Sequence, residues 1–165
     1  MQTDVVFAAP EDNLMKIAGL MRLRDCGIVP IVDGEKRIVG MLSDRDICLA
    51  IAARNRKASD VKAEDLARGK IITCLAEDAL ETALRKMRKH QIKRLAVVNK
   101  ADELVGLLSI ADAILSVRKG KSLKKKIYAT VKSIAKPRPI VLREISDNHS
   151  ATIDEMLAAP SALKS

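Results

Sequence analysis

Aromatic side chains are almost absent from this 165-residue chain, which has one Phe, one Tyr and no Trp. A core must therefore be built from aliphatic side chains and Met, and there is no aromatic platform on which nucleic-acid bases could stack. No apolar run approaches the ~18 residues needed to span a bilayer, and the amino terminus lacks the basic start of a signal peptide. We therefore expect a cytoplasmic protein with no membrane span.

Groups that could carry catalysis or hold a metal are also scarce. The chain has two His and three Cys, and the cysteines Cys26, Cys48 and Cys74 form neither a CxxC pair nor a zinc-binding spacing. A nucleophile needs a base within reach, and the sequence contains neither such a cluster nor a Walker-type phosphate loop. We expect no enzyme and no metal site, and we interpret the cysteines as small buried apolar side chains.

Positive charge is concentrated towards the carboxyl end. The net charge is +9, and residues 118–143 hold ten Lys or Arg and no acid. Residues 144–165 hold four acids and one Lys, so residues 1–117 carry a net charge of +2. This shift in composition predicts a basic C-terminal extension over residues 118–165 that follows a nearly neutral body.

The body contains an internal repeat with an offset of 66 residues. Residues 3–49 align without gaps on residues 69–115. The identical pairs include Glu11 and Glu77, Asp12 and Asp78, Leu14 and Leu80, Met21 and Met87, Val32 and Val98, Gly40 and Gly106, Leu42 and Leu108, Ser43 and Ser109, and Asp46 and Asp112. Two copies favour a paired module with pseudo-two-fold symmetry, because a solenoid needs at least about three repeats. We place the first repeat at 1–60 and the second at 61–117.

Both copies predict the same order of elements, β-α-β-β-α. A short strand at 5–7 or 71–74 precedes a helix with apolar residues at helical period. In the first copy we expect Pro10 to open this helix. Two strands separated by a polar turn follow, at 28–32 and 38–42 in the first copy and at 95–98 and 104–108 in the second. The last helix begins at Ser43 or Ser109.

Both copies also contain the motif G-h-h-S-x-x-D (h, apolar), which runs from Gly40 to Asp46 and from Gly106 to Asp112. The start of a helix offers unpaired N–H groups that favour a phosphate. The Ser hydroxyl and the Asp carboxylate can bond to phosphate or ribose oxygens, and the glycine lets another group approach the backbone closely. The S-x-x-D spacing is equally that of a helix capping box, so a structural role stays open.

Taken in order, these motifs resemble a pair of CBS domains (the cystathionine β-synthase domain). The resemblance covers residues 4–116 and is carried by P-E-D-x-L, G-I-V-P-I-V-D and I-V-G-M-L-S-D-R-D in the first copy. In the second copy it is carried by E-D-A-L-E-T-A-L-R-K-M and L-V-G-L-L-S-I-A-D. It implies an α+β fold, in which two tandem β-α-β-β-α CBS repeats form a pseudo-two-fold module, followed here by a basic helical C-terminal extension.

The resemblance also implies a function. Family members bind adenosine-containing ligands, namely AMP, ADP, ATP, S-adenosylmethionine or NAD, and often form flat homodimers. We therefore expect a regulatory adenine-nucleotide sensor that signals to a regulated partner protein and has no obligatory cofactor. The alternative is a ligand-free CBS scaffold whose basic tail binds nucleic acid or another anionic partner. Such binding would be weak and independent of base sequence, because no DNA-binding motif is present.

In this family the ligand lies in two clefts, each of which combines the Ser and Asp of one repeat with strand residues of the other. The first cleft would use Ser109 and Asp112 with Val5, Val6, Ile28, Val29 and Pro30. The second cleft would use Ser43 and Asp46 with Ile72, Thr73, Arg94, Leu95 and Ala96. Because Thr73 adds a hydroxyl and Arg94 a positive charge, we expect the second cleft to bind phosphate better.

The basic extension begins with a predicted amphipathic helix at 122–136. Its apolar face is formed by Leu123, Ile127, Val131 and Ile134. Such a helix can bind a membrane surface or an acidic partner, but we expect it to dock on the body and leave its lysines in water. Beyond it we expect a strand at 140–145 and a short helix at 151–157.

Overall fold

The computed structural model describes residues 1–137 except residues 2, 55, 68, 70 and 118–120. The elements in chain order are α1 (Leu14–Leu23), β1 (Ile28–Val32), β2 (Ile38–Ser43), α2 (Asp44–Arg54), a 3-10 turn (Ala58–Asp60), α3 (Ala63–Leu66), β3 (Thr73–Leu75), α4 (Leu80–His90), β4 (Arg94–Val98), β5 (Leu104–Ser109), α5 (Ile110–Ser116) and α6 (Lys121–Ile134). The predicted α+β class is confirmed. The strand and helix predicted at 140–145 and 151–157 lie outside the described residues.

Strand pairing follows the internal repeat. β1 runs antiparallel to β2 and β4 antiparallel to β5, while β3 lies parallel beside β4. In the second repeat Cys74 pairs with Val97, and 66 residues earlier Ala8 pairs with Ile31 in a single parallel bridge. The predicted order of elements is therefore confirmed, although in the first repeat this bridge replaces the strand expected at 5–7.

A proline explains why the first strand is so short. In the second repeat the Ala76 N–H donates to the Val98 carbonyl over 2.9 Å and extends the pairing with β4. The residue 66 positions earlier is Pro10, which has no N–H to donate. The pairing with β1 therefore stops after Ala8.

The expectation that Pro10 opens the first helix is wrong. Pro10 lies in a turn, and α1 begins four residues later, at Leu14. Asn13 caps this helix, because its Oδ1 accepts from the Lys16 N–H over 2.9 Å. The cap was missed because Asn13 comes after the proline that we took as the helix start.

Left-handed backbone conformations recur at the same offset. Asp25 and Gln91 have φ of 47° and 50°, and Lys36 and Asp102 have φ of 60° and 61°. The first pair lies just beyond α1 and α4, and the second lies in the turns between the paired strands. Gly34, the turn residue of the first copy, is not among them. The two repeats therefore keep the same backbone path where their side chains differ.

The core of the first repeat includes part of the segment between α2 and β3, which we call the connector. Val61 and Ala63, which the sequence assigns to the second repeat, are fully buried among core residues of the first. The Leu14 N–H donates to the Val61 carbonyl over 2.9 Å, and the Ala63 N–H donates to the Asp12 carbonyl over 2.8 Å. The connector therefore packs against the start of α1 and the core of the first repeat, although it directly precedes the second repeat in sequence.

The α6 helix docks on the second repeat, as its apolar stripe predicted. Ile127 is 7% exposed, and Leu123 and Ile134 are partly buried against the core clusters of this repeat. The stripe differs from the expected one at a single step. Val131 is 39% exposed, whereas Thr130 is 2% exposed, so the buried line passes through a polar residue that a search for apolar spacing does not find.

Polar contacts fix α6 along α4. The Ser133 hydroxyl donates to the Arg88 carbonyl over 3.2 Å, and the Gln91 side-chain amide donates to the Ser133 carbonyl over 3.0 Å. Lys126 Nζ lies 3.5 Å from Glu81 Oε1. These contacts extend from the first turn of α4 at Glu81 to its C-cap at Gln91, so α6 lies along α4 over most of its length.

Candidate functional site

Both copies of the G-h-h-S-x-x-D motif form a capping box. Asp46 Oδ2 accepts from the Ser43 hydroxyl over 2.6 Å and from its N–H over 2.9 Å, and Ser43 Oγ accepts from the Asp46 N–H over 3.2 Å. The matching distances for Ser109 and Asp112 are 2.7, 2.8 and 3.0 Å. The capping alternative is therefore real in both repeats. It does not exclude ligand binding, because Oδ1 of each Asp takes no part in the box.

The motif glycine of the first repeat does allow a close approach to its backbone, but the group that approaches is another residue of the protein. A Cβ on Gly40 would collide with the Ala67 side chain and would lie 3.0 Å from the Ala67 carbonyl oxygen. Ala67 follows α3, in the connector. In the first repeat the glycine is therefore required for packing the connector against β2.

A cavity of about 560 Å³ opens where the two repeats meet. Its floor and walls combine the start of the chain, the end of α1 and β1 from the first repeat with β4, β5 and α5 from the second. The residues that line it are Met1, Thr3, Asp4, Val5, Val6, Arg24, Asp25, Cys26, Ile28, Arg94, Leu107, Ser109 and Asp112. We call it the Ser109–Asp112 cavity.

Most residues assigned to the first cleft come together in this cavity. Ser109 and Asp112 of the second repeat face Val5, Val6 and Ile28 of the first across it. This arrangement combines the two repeats in the way that the resemblance implied. Whether these residues bind a ligand remains a prediction.

Two residues assigned to the first cleft lie deeper. Val29 is fully buried in the core and Pro30 is also buried, and neither lines the cavity. The Pro30 carbonyl accepts from the Ala8 N–H over 3.0 Å. Both positions therefore support the cavity wall from behind, because β1 turns only its first residue towards the opening.

Arg94 lies in a different place from the one assigned to it. The sequence placed it in the second cleft, but it lines the Ser109–Asp112 cavity. The reason is strand register: Arg94 is paired with Ser109 across β4 and β5, and directly opposed residues hold their side chains on the same face of a sheet. The positive charge expected to favour the second cleft is therefore present in the first.

Arg24 is a lining residue that sequence reasoning missed. It follows α1, and its Nη1 lies 2.9 Å from Asp4 Oδ2, which ties the start of the chain to the end of the helix. Only its position next to a helix end marks it in the sequence. With Arg94 it gives the cavity two guanidinium groups.

Apart from Arg94, the residues assigned to the second cleft do not line the Ser109–Asp112 cavity. Ser43 and Asp46 form their capping box at the surface, and Ile72 and Thr73 are half-buried. The Thr73 carbonyl accepts from Lys86 Nζ over 2.9 Å. Leu95 and Ala96 are fully buried in β4, so their side chains belong to the core.

The electrostatics of the cavity centre on Asp112. Burial alone would raise the pKa of its carboxyl, but the Ser109 hydroxyl and amide, the amine of Met1 and the Arg94 guanidinium together lower it below the ordinary 3.8. The Met1 amine lies 3.9 Å from Asp112 Oδ1. Asp112 is therefore ionised at neutral pH and can accept hydrogen bonds from hydroxyl groups.

The cysteines and histidines form no metal cluster within the described part of the chain. Cys74 is buried, and burial raises the pKa of its thiol. Cys26 is half-buried and lines the cavity, and Cys48 is exposed, so the expectation of buried cysteines is correct only for Cys74. No helix among the described residues is both long and apolar enough to cross a membrane.

Comparison with known proteins places these features in a family. The model of the CBS domain matches residues 1–53 and 63–119. Hypoxic response protein 1 of Mycobacterium tuberculosis is 32% identical over 112 residues, which cover 68% of this chain and 78% of that protein. A structure of hypoxic response protein I with two coordinated zinc ions matches 71% of this chain and 94% of its own, with 30% identity and a TM-score of 0.66.

Two further matches bear on ligands and on catalysis. A CBS domain protein of Pyrobaculum aerophilum, solved in complex with AMP, is 28% identical with a TM-score of 0.64, covering 78% of this chain and 94% of that one. Inosine-5'-monophosphate dehydrogenase of Methanocaldococcus jannaschii is 31% identical over 117 residues, or 70% of this chain. The match spans only 22% of that enzyme, so it carries no catalytic activity over to this chain.

Proposed function

Because the chain belongs to the CBS domain family, we propose that it is a regulatory module that binds an adenosine-containing ligand in the Ser109–Asp112 cavity. The observation that carries this proposal is the meeting of Ser109 and Asp112 with Val5, Val6 and Ile28 around one opening. Its volume of about 560 Å³ lies within the roughly 300–1,000 Å³ of small-molecule sites. The AMP complex of the Pyrobaculum aerophilum protein supports an adenosine ligand.

The side chains suggest how each part of the ligand would be held. Asp112 Oδ1, which is free of the capping box, would accept from ribose hydroxyls. The guanidinium groups of Arg94 and Arg24 would bind phosphate. The aliphatic side chains of Val6 and Ile28 would pack against the adenine ring. AMP, ADP, ATP, S-adenosylmethionine and NAD all have the adenosine that this site requires.

The proposed mode of action is linkage and not catalysis. A ligand shifts a protein between two states only by the difference of its affinities for them. The cavity is lined by both repeats, so a bound ligand would bias their relative arrangement and thereby alter contact with a regulated partner protein. We propose a cytoplasmic location for this module.

We also propose that the module acts as a homodimer. Leu49 on α2 and Leu115 on α5 occupy equivalent positions in the two repeats and are 49% and 81% exposed. Exposure of the same apolar position in both repeats supports a surface that a second copy of the chain covers. Sedimentation should show a dimer for the wild type and a monomer for Leu49→Lys/Leu115→Lys, while a wild-type monomer would refute the dimer.

Ligand-dependent thermal melts test the sensor function. AMP, ADP, ATP, S-adenosylmethionine and NAD would each be added in millimolar excess, since a ligand at 100 times its Kd stabilises by about 2.7 kcal/mol. We expect an upward shift with at least one of them, and we expect Asp112→Ala to abolish it. Asp46→Ala tests the second cleft in the same way.

A matched pair of arginines tests the phosphate contact. Arg94→Gln should reduce the shift with AMP more than the shift with S-adenosylmethionine, which has no phosphate. Arg22, an exposed residue of α1 that does not line the cavity, provides the control Arg22→Gln. No shift with any of the five ligands would refute the sensor function and leave the empty scaffold.

A second candidate function is binding of an anionic partner by α6. The specific observation is that α6 contains five Lys and no acid, and all five are exposed. Nucleic acid bound in this way would be held through phosphate contacts, so its affinity would fall steeply with salt. A gel shift that persists at 300 mM salt with a preference for sequence would contradict this simple electrostatic mode.

A further inference from the structure

An apolar groove lies between α5 and α6. It encloses about 320 Å³ and is lined by Ile114, Val117, Lys124, Ile127, Tyr128 and Val131. Three of these side chains are large, apolar in their bodies and well exposed: Ile114 at 50%, Tyr128 at 68% and Val131 at 39%. Exposed apolar side chains grouped in this way mark an interaction surface. We call this surface the α5/α6 groove.

The charge around the groove restricts what can cover it. Lys124 lines it, and Lys121, Lys125 and Lys132 are exposed on the same helix, which has no acidic residue. Among the described residues α6 makes one ion pair, between Lys126 and Glu81. The occupant should therefore combine apolar side chains with acidic ones, because lysines without acidic partners favour a negative surface.

The chain itself provides such a segment just beyond α6. Residues 144–157, which lie outside the described residues, contain four acids and no Lys or Arg. Ile153, Met156 and Leu157 supply the apolar side chains, and Asp154 and Glu155 lie between them. Charge and hydropathy are therefore complementary to those of the groove.

Chain length permits this contact within one molecule. Residues 138–143 can span up to about 20 Å, whereas the distance along α6 from Ile134 back to Tyr128 is about 9 Å at 1.5 Å per residue. A short connection also gives the segment an effective concentration in the millimolar range. A weak contact therefore suffices to keep the groove covered.

We propose that residues 144–157 bind the α5/α6 groove of their own chain, with their apolar side chains over Tyr128 and Val131 and their acids beside Lys124 and Lys125. This contact is independent of the adenosine ligand. It competes instead with any anionic partner of α6, because both require the same lysines.

Tyr128 reports on the groove directly, because it is the only Tyr in a chain without Trp. Quenching of its fluorescence by acrylamide is measured on the full-length protein at low salt. In the wild type Tyr128 should be shielded. Asp154→Lys/Glu155→Lys should increase quenching, and adding 1 M salt to the wild type should do the same, since the screening length then falls to about 3 Å.

Charge exchange provides the stringent test. Lys124→Glu/Lys125→Glu should also increase quenching, and combining it with Asp154→Lys/Glu155→Lys should restore the shielding. Glu11→Lys changes an exposed acid in the first repeat and serves as the control with no effect. Circular dichroism of each variant shows whether the fold is retained.

Three outcomes would overturn the proposal. Equal quenching of the wild type and of Asp154→Lys/Glu155→Lys would mean that this segment does not cover the groove. Shielding that grows with protein concentration would assign the groove to a second copy of the chain. Shielding that requires vesicles containing phosphatidylserine would assign it to an anionic lipid surface.

Discussion

The helix faces of the two repeats differ in what covers them. Leu84 on α4 is 2% exposed beneath α6, whereas Ala18, its counterpart on α1, is exposed. The Thr130 hydroxyl lies 3.5 Å from the Leu84 carbonyl, and within the described residues nothing corresponding lies over Ala18. The two repeats nevertheless keep the same strand registers and left-handed turns. The two repeats thus share a backbone path even where their residues differ, while the second repeat has in addition a helix as part of its core.

The largest effect that this comparison predicts is at Ile127. Ile127 packs with Leu84 and Ala113 in a buried cluster, so Ile127→Ala should remove about 2–5 kcal/mol of unfolding free energy. Val131→Ala, one turn further along and 39% exposed, is the matched control. It should cost much less, because the segment proposed to cover Val131 makes only a weak contact. Denaturant unfolding followed by circular dichroism measures both.

Equal and small losses at Ile127 and Val131 would show that α6 is not part of the core of the second repeat. A loss at Ile127 that appears as a separate transition would show that α6 detaches before the repeat unfolds. Coincident loss of all structure would make the helix and the second repeat one cooperative unit.

The connector provides the next comparison, because it packs closely on the first repeat at Gly40. Gly40→Ala would push a methyl group into Ala67, and overpacking of this kind costs about 1–3 kcal/mol. Gly34→Ala meets nothing within 4 Å and is the control, with little change in the melting temperature. A neutral Gly40→Ala would show that the connector moves away from β2 at little cost.

Much of this architecture could be predicted from the sequence because the internal repeat presents the pattern of each element twice. The strand at 28–32 was predicted with its observed bounds, and the helices following Ser43 and Ser109 begin as expected. The position of α6 on the body followed from its apolar spacing. In each case the local pattern and the tertiary contacts favour the same structure.

The parts that could not be predicted depend on partners distant in sequence. Arg94 joins the Ser109–Asp112 cavity because of the register between β4 and β5, which periodicity does not define. Thr130 tolerates burial because its hydroxyl donates to the Lys126 carbonyl one turn earlier over 2.9 Å, but its place beside Leu84 on α4 is set by helix packing that apolar spacing does not define. Pro10 suggested a helix start, but its structural effect is to end a strand pairing. It has no N–H to make the bond that Ala76 makes in the other repeat.

The capping boxes allow a comparison at equivalent positions. Ser43→Ala and Ser109→Ala each remove a hydroxyl that both donates to the Asp and accepts from its N–H. Each should cost about 0.5–2 kcal/mol, the usual range for loss of an N-cap. Thermal melts should show similar decreases, and Ser43→Thr and Ser109→Thr should restore much of each loss. A large loss at only one position would mean that the two boxes do not have the same structural role.

The smallest expected effect is a pH dependence at Asp112. Since its pKa is lower in the folded protein than its ordinary 3.8, the ionised carboxylate stabilises the fold above that pH. This contribution is lost as the pH falls below 3.8 and through the folded-state pKa. The difference in melting temperature between the wild type and Asp112→Asn should therefore be present at pH 7 and shrink in acid. The same comparison in a Ser109→Ala background should show a weaker pH dependence, because the Ser109 hydroxyl contributes to lowering the pKa. An unchanged pH dependence would assign the shift to the Ser109 backbone N–H and to the charges of the Met1 amine and Arg94 instead.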